Sequence, residues 1–142
     1  MTAALRLVID ASVLVSWFHR ADPFHQASRA WLRQHLLAGG QLYAPWLLQS
    51  EVAGALTRRT GDQALGTRAA RWVRSLPEIH LVDLDATLGQ HAADLAVALR
   101  LRGADAVYVA VADQFQLPLV TWDREQRERG AQRIATRRPD NA

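Results

Sequence analysis

Cysteine is missing from this 142-residue chain. Its absence excludes disulfide staples, thiolate-bound zinc, iron–sulfur clusters and thiol nucleophiles together. Lysine is missing too, so all 17 cations are arginine, and neither a P-loop lysine nor a Schiff base is available. No apolar run approaches the roughly 20 residues of a membrane span. Met1 to Leu7 shows no charged start followed by a long apolar stretch, so no secretory leader is visible and a cytoplasmic protein is expected.

What remains is an ordinary globular composition, 49% hydrophobic and 22% charged. It fits one domain over residues 1–142 that buries about two-thirds of its unfolded surface, with 137–142 read as a frayed tail. The isoelectric point near 10.5 overstates the positive character. Formal net charge is only +3, and arginine does not titrate below pH ~12, so a slight excess drives the value high. The balance is compatible with a polyanionic partner without requiring one.

Apolar periodicity and turn residues predict alternating strands and helices. Leu5 to Ile9 reads as a strand ending at Asp10, with Ser12 placed to cap a helix from Val13 to about His19. Asp22-Pro23 reads as the opening of a second helix that Gly39-Gly40 closes, and Leu42 to Ala44 as a short strand. Pro45 is taken to begin a third helix running to Gly61, and Asp62 to cap a fourth that Pro77 stops. Ile79 to Leu84 follows as a strand, Asp85 caps a fifth helix, and a sixth runs from Asp105 to about Phe115. Leu117 to Thr121 is a strand, then come an Arg-rich helix to Gly130 and a weak strand at Arg133 to Thr136. Strands joined by helical crossovers imply an α/β fold: three layers, a mainly parallel central sheet of about five strands, helices on both faces. Ligands in such sheets sit beyond the carboxyl ends of the strands, which directs attention to Asp10 and to Thr121-Trp122-Asp123.

Most of the 14 acids sit in polar stretches or at helix starts. Four have apolar neighbours. Asp10 ends Leu-Val-Ile, Glu51 lies among Leu47, Leu48, Val52 and Ala55, Asp105 precedes the run Ala106 to Ala112, and Asp123 follows Leu119-Val120-Thr121. Asp10 or Asp105 alone reads equally well as a helix-terminus acid satisfied by backbone N–H groups. Gathered together, they repel one another unless a cation neutralises them. An all-oxygen set suits a hard divalent ion, Mg²⁺ or Mn²⁺. The five histidines show no ligand spacing.

The ordered set Asp10-Ala11-Ser12, Ser50-Glu51-Val52, Ala104-Asp105-Ala106-Val107-Tyr108-Val109-Ala110 and Leu119-Val120-Thr121-Trp122-Asp123 resembles the PIN-domain nucleases. It looks most like their single-domain VapC-type toxins from prokaryotic toxin–antitoxin pairs. The resemblance implies a metal-dependent endoribonuclease on a PIN fold, usually a homodimer, held inactive by an antitoxin protein. It maps the family's acids onto Asp10, Glu51, Asp105 and Asp123, its hydroxyl after the first acid onto Ser12, and its threonine onto Thr121. The segment Arg124 to Arg129 departs from the pattern, since relatives often carry a more apolar helix there.

On this reading Asp10 and Asp105 are the principal ligands of Mg²⁺ or Mn²⁺. Asp123 and Glu51 act through water, and the Ser12 and Thr121 hydroxyls hold carboxylate rotamers. A helix cap is an equally good role for Ser12. Arg58, seven residues beyond Glu51 on the same helix face, is a candidate RNA phosphate contact, as are Arg124 and Arg127. Trp122 has two readings, stacking on an RNA base or packing in the core or a dimer interface. The first four helices, rich in Leu and Trp, offer faces for an apolar antitoxin segment, for a dimer, or for plain core. An aspartyl-phosphate phosphotransferase lacks its second acid at position 12 and its lysine. The alternative function is a catalytically silent RNA- or protein-binding module on the same fold.

Overall fold

The computed structural model describes residues 5–141. Among these, five strands form one all-parallel sheet in the order β3-β2-β1-β4-β5, with seven α-helices. β1 (Arg6–Ile9) lies at the centre because Leu7, Val8 and Ile9 are buried on both faces, as parallel strands covered on both sides must be. It pairs with β2 (Gln41–Pro45) through Leu7↔Leu42 and Val8↔Tyr43, and with β4 (Leu119–Val120) through Val8↔Leu119 and Ile9↔Val120. β3 (Ile79–Val82) and β5 (Thr136–Arg137) flank them.

From β1 the chain crosses through α1 (Ala11–Phe18) and α2 (His25–Leu37) to β2, then through α3 (Leu47–Thr60) and α4 (Gln63–Ser75) to β3. It returns through α5 (Ala86–Leu99) and α6 (Gly103–Phe115) to β4 on the other side of β1, and α7 (Arg124–Gly130) leads to β5. Right-handed crossovers in opposite lateral directions place the two helix groups on opposite faces. The reversal falls between β1 and β4, where the adjacent strand ends open a crevice. All residues from Ala106 to Ala112 are buried, so α6 is a core helix packed on β1, β2, β4 and α5.

Several boundaries differ from the sequence expectation. Asp10, not Ser12, caps α1: its backbone is extended and its carboxylate accepts from Ser12 N at 3.0 Å. Asp22-Pro23 forms a turn in which Asp22 accepts from Phe24 N, and α2 starts only at His25. Pro45 closes β2 opposite Val82, because the strand pairing extends one residue beyond Ala44. The expected strands at Ile79 to Leu84, Leu117 to Thr121 and Arg133 to Thr136 shorten or shift to β3, β4 and β5. The expected frayed tail is ordered as far as it is described. Thr136–Arg137 extends the sheet, and Pro139–Asn141 makes a 3-10 turn with Pro139 buried, packed on α2. Residue 142 and residues 1–4 lie outside the described residues.

Candidate active site

Four separate elements deliver one carboxylate each to the crevice. Asp10 ends β1 and caps α1. Asp123 follows β4 and caps α7, accepting from Gln126 N at 2.9 Å. Asp105 lies in the first turn of α6, and Glu51 lies in α3. All four line a cleft of about 570 Å³ together with Ser12, Arg58, Arg59 and Trp122. Three helix N-termini converge there, and their partial positive charge offsets part of the crowding of acids.

The offset is incomplete. Burial pushes the Asp105 carboxyl up to about 7, and the charges of Asp10, Asp123 and Glu51 push the same way against a smaller pull from Arg102. Burial also raises the Asp10 carboxyl, although hydrogen bonds from Ser12 and Thr121 pull it down. Glu51 is raised by its own burial and by Asp10, against the hydrogen bond it accepts from the Tyr108 hydroxyl at 2.7 Å. Tyr108, buried beside these acids, has its phenol held well above the ordinary range.

Thr121 is the hub beneath the cluster. Its fully buried hydroxyl donates to Asp10 Oδ2 at 3.0 Å and accepts from Asp123 N at 3.0 Å. Ser12 Oγ lies 3.3 Å from Thr121 Oγ1 and accepts from Trp122 N at 3.0 Å. The ends of β1 and β4 are thereby stitched together through two hydroxyls.

Among the described residues, no group of three Asp, Glu or His side chains is placed to hold a metal ion. Asp10, Asp123 and Glu51 are each engaged by protein donors. A magnesium-type cation does not need an all-protein cage. It keeps several waters and takes one or two carboxylates with substrate phosphates. An all-oxygen, mutually repelling set of four acids fits such an ion in donor chemistry.

The candidate cations divide. Arg58 lines the cleft, and so does Arg59, which the sequence reading missed and which pairs with Asp22 at 3.6 Å. Arg127 instead donates to the Thr121 and Trp122 carbonyls, and Arg124 pairs with Glu128 on an exposed surface; neither lines the cleft. Trp122 is 9% exposed, with one ring face covered by Phe24 and Nε1 donating to Ser28. Tyr108 was also missed, although it lies three residues beyond Asp105 on the same helix face, which is the signal that finds it.

A family model described as the PIN domain matches residues 7–132. No curated protein matches the chain significantly. Among solved structures, VapC20 of Mycobacterium tuberculosis, described as a Sarcin-Ricin loop cleaving toxin, is 18% identical with TM-score 0.70 over 82% of this chain and 89% of that one. VapBC2 from Rickettsia felis, bound to a DNA fragment from its promoter, is 10% identical with TM-score 0.70 over 94% and 98%. A toxin–antitoxin complex from Klebsiella pneumoniae is 16% identical with TM-score 0.58 over 82% and 86%. At these identities the likeness is one of fold.

Proposed function

We propose that this chain, which belongs to the PIN-domain family, is a metal-dependent endoribonuclease that hydrolyses RNA phosphodiester bonds and serves as the toxin of a toxin–antitoxin pair. One observation carries the reading: four acids from four elements line one cleft where the sheet reverses direction, and burial together with the charges of the other three raises the Asp105 carboxyl to about 7. Asp10 and Asp105 are the proposed direct ligands of Mg²⁺ or Mn²⁺, with Asp123 and Glu51 acting through water. When bound, such an ion lowers the pKa of water and neutralises charge growing on the phosphate oxygens.

The chain's own groups do the rest. Thr121 and Ser12 fix the Asp10 rotamer and the position of Asp123, so little reorganisation is needed when substrate arrives. Tyr108 donates to Glu51 and turns it toward the cleft, leaving its second oxygen to orient a water. Arg58 and Arg59 are the proposed phosphate contacts, in place of Arg124 and Arg127.

An antitoxin partner is supported by the Klebsiella pneumoniae complex of the same fold. It is also supported by a second groove of about 400 Å³ between α1, α2 and α4, where Trp17, Trp72 and Leu36 meet Arg29 and Arg33. We extend the reading to a homodimer and to a cytoplasmic location. No helix among the described residues is long and apolar enough to cross a membrane.

The test is incubation of purified protein with total RNA, with and without Mg²⁺ or Mn²⁺, followed by mapping of new 5′ ends. New ends that depend on the ion are expected. RNA left intact in every ion, with binding retained, supports the silent module instead.

A further inference from the structure

We infer that the cleft contains a nucleobase subsite, in which the outer face of Phe24 stacks on a base of single-stranded RNA beside the carboxylates. This rests on the RNA-directed reading above and specifies how that RNA is held. Phe24 is 38% exposed and lines the cleft. Its inner face lies on Trp122, with ring centroids 4.1 Å apart and planes 7° from parallel. The Arg138 guanidinium carbon is 5.9 Å from the Phe24 centroid and 5.2 Å from that of Trp122. With the rings only 4.1 Å apart, both distances place Arg138 beside the stack. These neighbours leave part of Phe24 uncovered, and it lines the cleft.

A lone exposed phenylalanine means little. This one is backed and fixed. Trp122 Nε1 donates to Ser28 Oγ at 2.7 Å, Ser28 bonds to Ser16 at 2.6 Å, and Ser16 donates to the Val13 carbonyl. The Phe24 backbone N–H donates to Asp22, whose other oxygen pairs with Arg59. The platform is thereby tied to the end of α3 that carries Arg58 and Arg59. Phe24, these arginines and the four acids line the same cleft, so a strand with a base on Phe24 has its backbone within the cleft that holds both. The stack reads no hydrogen-bond edge, so it tolerates any base, with purines giving the larger overlap.

The test uses Asp10→Asn protein, expected to bind without cutting, and short single-stranded RNAs carrying 2-aminopurine at successive positions. Stacking quenches the probe's fluorescence. Quenching is expected at a defined position, lost in an added Phe24→Leu change and restored by Phe24→Tyr, with affinity falling about tenfold in the leucine variant. Equal quenching in Phe24→Leu, or none at any position, overturns the subsite. Phe24-dependent quenching in a protein whose wild type never cuts RNA keeps the subsite and removes the nuclease. Cutting without Phe24-dependent quenching does the reverse.

Discussion

Burial, joined by the charges of the three other acids in its cleft, raises the Asp105 carboxyl to about 7. An acid whose folded pKa lies above its ordinary 3.8 binds more protons folded than unfolded between those values. Its contribution to stability therefore falls as pH rises from 3.8 to about 7. In chelator, Asp105→Asn is expected to be more stable than wild type at pH 8 by about 1–2 kcal/mol, well below the full conversion of the shift because the group is half-exposed. The difference should vanish near pH 4, and urea melts across that range read it. Thr121 makes the opposite case. Thr121→Val strands Asp10 and Asp123 N in a buried site and is expected to cost about 1–3 kcal/mol, with Thr121→Ser restoring most of it in the same melts. That these four acids lie together was legible in the sequence because each borders or sits within an apolar stretch. Arg59 was not, since what places it is an ion pair with Asp22, far away along the chain.

Among the elements, α6 was readable because an apolar run with no polar face has only the core to occupy. The α3–α4 hairpin was readable from Gly61, which sits at φ +72°, and from the Asp62 cap. Its close crossing was not. A Cβ at Gly66 would collide with Thr57 Oγ1 and come within 3.0 Å of the Ala53 carbonyl, so Gly66→Ala is expected to destabilise the protein by about 1–3 kcal/mol in urea unfolding. Pro45 shows why boundaries escape a local reading. Its fixed φ suits a helix start as well as a strand end, and only the pairing opposite Val82 decides between them. The ordered end of the chain escaped for a similar reason, since Arg138 packs against Phe24 and Trp122 from distant segments.

At the scale of the whole molecule, a net charge of +3 spread over 17 arginines and 14 acids gives no strong overall field. RNA affinity must then come from a few placed cations. Arg58→Gln is expected to weaken binding of single-stranded RNA and to flatten the slope of log affinity against log salt by about 0.7, one phosphate contact, in a fluorescence-anisotropy titration. The strand order brings Asp10 and Asp123 side by side at the sheet's reversal and leaves Glu51 and Asp105 to be delivered by helices. The carboxylate cluster is tested most directly by RNA cleavage in Mg²⁺ by wild type and Asp10→Asn, the asparagine keeping the α1 cap. Ion-dependent cleavage by wild type, reduced to background in an Asp10→Asn protein that melts no lower, is the predicted result. Full ion-dependent cleavage by Asp10→Asn would contradict it.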